Sequence, residues 1–213
     1  GRHRQAARAP RTYNPPMYRG NSETAFDALV GGRGAIGASA ALGLARAGLK
    51  VGVVAPQAPA PVRQEAGQWD PRVFAISPAS RALLQRLRVW DALDASRVAP
   101  VYDMRIFPSG REGAPELHFG AYEACIEALA WIVEGENLGH ALERALSFAG
   151  VAAIDGSVES VDTTSSDAAE LVLADGRRLR AKLVVGADGA RSPLRGMLGI
   201  GAAESDYPQH AVV

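Results

Sequence analysis

The sequence predicts an α/β fold built on a parallel sheet. A short apolar run, Phe26 to Gly31, leads into a glycine-rich turn and then into an alanine-rich segment through Ala47. A second apolar run, Leu183 to Gly186, leads into a polar turn in the same way. Short apolar runs that end in turn residues are typical of buried strands, and strands that alternate with helices favour a parallel sheet.

The first turn has the spacing of a dinucleotide-binding loop. It reads Gly32-Arg33-Gly34-Ala35-Ile36-Gly37. In such a loop Gly32 makes the tight turn, Gly34 lets a pyrophosphate approach the backbone, and Gly37 lets the helix pack closely on the sheet. The helix N-terminus at Ala35 and Ile36 then offers N–H groups and a partial positive charge to the phosphates.

The context of this loop favours a dinucleotide site over a plain glycine turn. A predicted strand precedes it, a helix follows and is closed by Gly48, and the next strand is predicted over Lys50 to Val54. Most such folds carry an acidic residue after the second strand, where it binds the adenosine ribose. This chain reads Ala55-Pro56-Gln57 there, which leaves Gln57 or a backbone group for that contact.

The second turn presents a carboxylate, a backbone N–H and a hydroxyl from Asp188, Gly189 and Ser192, and two arginines follow that can meet a phosphate. The string from Leu183 to Arg195 resembles the second fingerprint of the FAD-dependent aromatic hydroxylases, a family of flavoprotein monooxygenases. In that fingerprint the Asp-Gly pair lies on the FAD, near the route of the nicotinamide. The resemblance implies that Gly186, Asp188 and Gly189 contact the cofactor.

A third segment, Asp70 to Leu93, predicts a helix capped by Ser77 or Ser80. Its apolar face is predicted to contain Leu83, Leu84 and Leu87. The segment resembles the one by which the ubiquinone-biosynthesis hydroxylases are recognised, the branch that includes octaprenylphenol hydroxylase and the VisC-like proteins. The resemblance implies that Arg72 lies close to the flavin, and the alternative is a surface arginine at the end of a strand.

Further strands and a helix are predicted downstream. Trp131 to Glu134 and the helix Leu138 to Ala149 resemble the strand and helix that close over the FAD in this family. Ala152 to Val161 and Glu170 to Leu179 are predicted as short strands. The resemblance places the backbone near Val158 against the adenine, with a strand residue packed in a small sheet as the alternative.

Together these segments imply a Rossmann-like, glutathione-reductase-like FAD-binding fold, interrupted by part of a β-sheet substrate domain. We predict five regions: a disordered leader (1–25), the first part of the FAD-binding domain (26–100), substrate-domain strands (101–133), the second part of the FAD-binding domain (134–200) and the start of a further substrate-domain strand (201–213). The family's last cofactor motif, a Gly-Asp-Ala-Ala-His string, does not occur in the sequence. We therefore expect a truncated chain that corresponds to the N-terminal half of a family member.

Composition narrows the function classes. The 23 basic and 23 acidic residues give a formal net charge of +0, so no electrostatic footprint for nucleic acid is visible. The lone Cys125 excludes an internal disulfide, and the four histidines lack the spacing of metal ligands. The most apolar stretch, Ala35 to Val54, is interrupted by four glycines and carries Arg46 and Lys50, which argues against a membrane span.

The resemblance implies an FAD-dependent monooxygenase that uses NAD(P)H and O2 to hydroxylate an aromatic substrate, a prenylated phenol of ubiquinone biosynthesis. In such enzymes the cofactor supplies the chemistry while the protein binds, orients and excludes water, so no catalytic side chain is predicted. The expected location is cytoplasmic. Peripheral contact with the inner membrane or with a ubiquinone-biosynthesis complex is left open, as is the oligomeric state.

Three alternatives were weighed against this function. A short-chain NAD(P) dehydrogenase needs a Tyr-x-x-x-Lys pair, and none of the five tyrosines is followed four places on by lysine. A flavin-binding remnant without turnover and another FAD-dependent oxidoreductase of the same fold both stay open. For the 213-residue chain alone we expect no hydroxylation.

Overall fold

The computed structural model describes residues 24–57, 69–107, 116–205 and 207. The helices are α1 (Ala35–Arg46), α2 (Pro78–Arg86), α3 (Gly135–Phe148) and α4 (Pro193–Met197). The strands are β1 (Thr24–Gly31), β2 (Val51–Ala55), β3 (Val73–Ile76), β4 (Val98–Val101), β5 (Asp103–Ile106), β6 (Leu117–Gly120), β7 (Ala130–Glu134), β8 (Ala152–Asp155), β9 (Val158–Asp162), β10 (Ala169–Leu173) and β11 (Arg178–Gly186).

The largest sheet has six strands in the order β8-β2-β1-β11-β10-β9. Its first four strands run parallel, whereas β9, β10 and β11 form an antiparallel meander. The α/β class is therefore confirmed, with a mixed sheet in place of a wholly parallel one. The short turn at Asp175-Gly176 explains the difference, because two strands joined by so few residues can pair only antiparallel.

The strand predicted over Ala152 to Val161 is two strands, β8 and β9. It breaks at Gly156, whose φ of +151° is one that residues with a side chain rarely adopt. The two strands lie at opposite ends of the six-stranded order although only two residues separate them. The meander therefore folds back over one face of the parallel strands.

Two apolar cores follow from this layering. On one face of the parallel strands, α1 and α3 pack against alternate residues such as Val30 and Val53. On the other face, Leu29 and Ile154 pack against residues of the meander that include Leu171. The central strands β1 and β2 are thus covered on both faces, which leaves their carboxyl ends as a place where a ligand can reach them.

A smaller sheet of order β3-β7-β4 extends the first core through Trp131 and Val133. Helix α2 packs there through Leu84, and Leu87, directly after the helix, is buried with it. Leu83 is 42% exposed, so its predicted place on the apolar face is wrong. Strands β5 and β6 form a separate hairpin. The predicted domain boundaries, including those at residues 101 and 133, stay predictions.

Some predictions fall outside the described residues. The predicted leader covers residues 1–23, which the structure does not describe, together with two residues that begin β1. Of the further strand predicted to start within 201–213, the described residues 201–205 and 207 form no strand, and the remaining residues lie outside the described part of the chain. Among the described helices, none has both the length and the apolar character needed to cross a membrane.

Candidate cofactor-binding site

The two predicted loops meet at one edge of the sheet. Strands β1 and β11 are parallel neighbours, with Gly31 directly opposite Gly186. Just past this pair, the Ala187 N–H donates a hydrogen bond of 2.7 Å to the Gly31 carbonyl oxygen. Because ligands of open α/β sheets bind outside the carboxyl ends of the strands, this edge is the candidate site.

Two glycines of the first loop are required by close packing. A Cβ on Gly32, where φ is +108°, would lie 2.1 Å from the Ala187 carbonyl oxygen. A Cβ on Gly37 would lie 2.1 Å from the Gly32 carbonyl oxygen. The tight turn and the close approach of the helix, predicted from the sequence, are both present.

Gly34 differs from its neighbours. Its φ of −64° suits any residue, and a Cβ there would meet no atom within 4 Å. Nothing in the fold of the described residues therefore demands glycine at this position. A requirement for glycine would have to come from a ligand that approaches the backbone.

The N-terminus of α1 has its N–H groups open. Gly34 is the N-cap and provides no side-chain hydrogen bond, and the first turn carries no acidic residue. The N–H groups of Ala35, Ile36 and Gly37 precede the first intrahelical donor and have no capping side chain. The Ile36 side chain is 77% exposed. Such a helix end attracts a phosphate through its N–H groups and its dipole.

The second loop uses its polar groups internally. The Asp188 carboxylate accepts hydrogen bonds from the Ser192 hydroxyl and, at 2.9 Å, from the Leu194 N–H. Ser192 in turn caps α4 by accepting from the Arg195 N–H at 3.0 Å. Gly189 is exposed with φ of +99°. Asp188 thus shapes the loop, and its contact with a cofactor, like those of Gly186 and Gly189, stays a prediction.

The two loops form two walls of the site, and the residues at the start of β3 form a third wall. A cavity of about 200 Å³ lies beside the first loop, and Arg33, Gly34, Ala35, Arg72, Phe74 and Gly135 are among the residues that line it. The structure therefore brings the sequence-distant Arg72 beside Gly34. The Arg72 side chain is 78% exposed, and its Nε lies 3.5 Å from Asp70 Oδ1.

Asp70 holds this wall in place. The sequence pattern did not identify it as a site residue. It is buried, and its two carboxylate oxygens accept from the N–H groups of Arg72 and Glu136, each at 2.9 Å. Burial on its own would raise the pKa of this carboxyl. The two hydrogen bonds and the Arg72 charge outweigh burial and hold the pKa below its ordinary value of 3.8.

The buried Glu134 holds Asp70 in position through a hydrogen bond to its backbone. Its Oε2 accepts from the Asp70 N–H at 3.2 Å, and both of its oxygens accept from Arg97 Nη1, at 2.8 and 2.6 Å. Burying a carboxylate is costly unless it is paired and hydrogen-bonded, as this one is. The network fixes the relative positions of β3, β7 and α3.

The predicted adenine contact lies elsewhere along the edge. Val158 begins β9, is half-buried and packs against the second core. Near it, Asp155 ends β8 and pairs with Arg33, Nη2 to Oδ1 at 3.1 Å. Sequence analysis missed Asp155. The available signal was an acidic residue at the end of a strand, directly before Gly156.

These features fit a dinucleotide. The loop after β1 offers an open backbone at Gly34 and N–H groups at a helix N-terminus, and a cavity extends from it towards Arg72. Among the described residues, no group of three or more His, Cys, Asp or Glu side chains is arranged to hold a metal ion. The arrangement can bind a phosphate-bearing ligand.

Comparison with known proteins agrees with this geometry. Residues 25–212 match the family model described as FAD binding domain. The chain is 38% identical to the 3-demethoxyubiquinol 3-hydroxylase of Escherichia coli and 31% identical to the ubiquinone hydroxylase UbiL of Rhodospirillum rubrum. These alignments cover 87% and 91% of the chain but 46% and 44% of the two relatives, so the chain spans less than half of their length.

A solved structure shares the fold. PqsL of Pseudomonas aeruginosa, described as a probable FAD-dependent monooxygenase, superposes with a TM-score of 0.67 at 24% identity. The superposition covers 87% of this chain and 48% of PqsL. With the family match over residues 25–212, these observations show that the chain belongs to the FAD-binding-domain family of flavoprotein monooxygenases, related to the ubiquinone hydroxylases.

Proposed function

We propose that this chain binds FAD, with the pyrophosphate against the loop from Gly32 to Gly37. The observation that carries the proposal is the open N-terminus of α1. Its N–H groups have no capping side chain, and Gly34 leaves the backbone accessible although the fold does not require glycine there. A phosphate that approaches the loop would explain both the open N–H groups and the glycine at position 34.

We further propose that the whole protein hydroxylates a prenylated phenol of ubiquinone biosynthesis. The support is the similarity to two ubiquinone-pathway hydroxylases. Bound FAD, reduced by NAD(P)H, would supply the chemistry that activates O2. The residues of this chain would hold the pyrophosphate, orient the cofactor through Gly186, Asp188 and Gly189, and keep Arg72 beside it.

The first experiment identifies the cofactor. The purified chain is loaded with FAD, desalted and denatured, and the released compound is identified by chromatography. We expect FAD in near-stoichiometric amount, because FMN and free NAD(P) lack one half of the predicted contacts. A chain that retains only FMN or NAD(P) would contradict the proposal.

A matched pair of variants locates the site. Gly34→Val places a branched side chain where the pyrophosphate must approach, so FAD retention is expected to fall at least tenfold while the melting temperature is nearly unchanged. Gly43→Val is the control, because Gly43 lies in the helix that Gly34 precedes and a Cβ there also meets no atom within 4 Å. Equal FAD retention in the two variants would reduce the loop to a plain turn.

A second candidate function is flavin binding without turnover. This candidate concerns the 213 residues alone, which align with 46% of the length of the Escherichia coli hydroxylase. A chain supplied with FAD, NADH or NADPH and a prenylated phenol is expected to yield no hydroxylated product. Stoichiometric product would show that these residues suffice for the whole reaction.

A further inference from the structure

The end of β2 lacks the side chain that most dinucleotide-binding sheets use for the adenosine ribose. Such sheets place an acidic residue at or just after the second strand. Here Ala55 is buried, and it is followed by the exposed Pro56 and Gln57. Among the residues that the structure describes, a carboxylate near this position is therefore to be sought on another strand.

An acid stands on the neighbouring strand. Asp155 is the last residue of β8 and lies directly opposite Ala55 in the parallel register of β2 and β8. Neighbouring strands are about 4.8 Å apart, and side chains at matched positions point to the same face of a sheet. The Asp155 side chain thus begins one strand spacing from the position where the acid is absent.

Arg33 connects this carboxylate to the glycine loop. It stands between Gly32 and Gly34, and its Nη2 lies 3.1 Å from Asp155 Oδ1. The ion pair therefore reaches from the loop after β1, across the end of β2, to the end of β8. That path runs beside the place proposed for the pyrophosphate.

Hydrogen bonds also hold the backbone around Asp155 in place. Arg177 donates a hydrogen bond to the Asp155 carbonyl oxygen, and the Gly156 N–H donates to the Ala55 carbonyl oxygen at 3.0 Å. The Asp155 side chain is 29% exposed, so solvent and small ligands reach it. Within the described part of the chain, its Oδ2 accepts no hydrogen bond.

We propose that Asp155 binds the hydroxyl groups of the adenosine ribose in place of an acid on β2, and that Arg33 is the positioning residue that orients the carboxylate. The inference rests on the proposed FAD binding, since the ribose follows the pyrophosphate in the ligand. A carboxylate accepts hydrogen bonds from both hydroxyls of a ribose. The planar guanidinium of Arg33 adds a surface on which a base can stack.

The test compares ADP with 2′,3′-dideoxy-ADP by titration calorimetry on the purified chain. ADP carries the adenosine and the pyrophosphate without the flavin, and the two ligands differ only in the ribose hydroxyls. The wild-type chain is expected to prefer ADP by roughly tenfold or more. Asp155→Ala is expected to abolish the preference while it leaves the affinity for the dideoxy ligand nearly unchanged.

Three further variants sharpen the result. Arg33→Met should reduce the preference severalfold, because the carboxylate loses its orientation. Glu170→Ala is the matched control, since it removes an ion pair with Arg178 on the meander and should leave the preference intact. Gln57→Ala tests the alternative that Gln57 binds the ribose. Loss of the preference for ADP in this variant but not in Asp155→Ala would overturn the inference.

The outcomes separate this inference from the proposed function. A wild-type chain that binds neither FAD nor ADP contradicts the proposed function itself. A chain that binds both, and whose Asp155→Ala variant keeps the full preference for ADP, contradicts only the role of Asp155. If Asp155→Ala fails to fold, Asp155→Asn carries the same test, because it keeps the shape and loses the charge. An unchanged preference in that variant overturns the inference as well.

Discussion

The loops after β1 and after β11 lie side by side at one edge of the sheet, yet they treat their polar groups in opposite ways. The loop after β1 leaves the N–H groups of Ala35 and Ile36 without a capping side chain. The loop after β11 uses Asp188 to bind the Ser192 hydroxyl and the Leu194 N–H. The first loop thus has N–H groups open to a ligand, whereas the polar groups of the second loop are hydrogen-bonded to one another.

This difference suggests that the first loop provides affinity for the cofactor and the second provides a rigid binding surface. Open N–H groups gain most from a bound anion, so the first loop should supply much of the binding energy for a pyrophosphate. An internally bonded loop changes little on binding and serves as a preformed surface. Substitutions in the two loops should therefore affect stability and cofactor affinity in different proportions.

The largest expected effect comes from packing in the first loop. Gly37→Val would place a side chain within 2.1 Å of the Gly32 carbonyl oxygen. We expect the free energy of unfolding to fall by about 3 kcal/mol or more. Urea denaturation measures this, with Gly43→Val as the control within about 1 kcal/mol of the wild type. A stable Gly37→Val chain would contradict the observed approach of helix and loop.

The second loop should lose stability when Asp188 is truncated. Asp188→Ala leaves the Ser192 hydroxyl and the Leu194 N–H without their acceptor, at a cost of about 1–3 kcal/mol. FAD affinity should fall as a consequence of the altered loop. Asp188→Asn keeps one acceptor oxygen and should show about half the loss in the same denaturation experiment. Equal stability of all three chains would show that the loop does not depend on this carboxylate.

A smaller and pH-dependent effect is expected at Asp70, which holds the third wall. Its pKa is lower in the folded chain than its ordinary value of 3.8, so its stabilising contribution is complete above that pH and is lost as the pH falls through the folded value. Asp70→Asn should therefore make the free energy of unfolding fall less steeply as the pH drops below about 4. Urea titrations at several pH values measure the slope, and parallel slopes would contradict this account.

The smallest effect is expected at Arg72. Its side chain is 78% exposed and its ion pair with Asp70 is long, so Arg72→Ala should change the free energy of unfolding by less than about 1 kcal/mol. FAD affinity should still fall a few fold if the guanidinium lies beside the cofactor. Fluorescence titration with FAD measures this, and unchanged affinity would leave Arg72 as a surface arginine at the end of a strand.

Much of this molecule is determined by local sequence alone. Gly32 has a φ of +108°, and a Cβ on Gly37 would meet the Gly32 carbonyl oxygen, so both demands for glycine arise within the loop itself. The bounds of α1 follow from the glycine loop before it and from Gly48 after it, where φ is +86°. The cap of α2 by Ser77 is equally local.

Tertiary structure decided which distant residues meet. The return of the meander over the parallel strands depends on strand order, which periodicity does not encode. Asp155 stands opposite Ala55 only because β8 pairs with β2, and Arg72 reaches Gly34 only because β3 begins beside α3. Both juxtapositions join residues far apart in the chain, so their positions depend on how whole strands and helices pack. Local pattern therefore determined the two loops, and packing decided which side chains surround them.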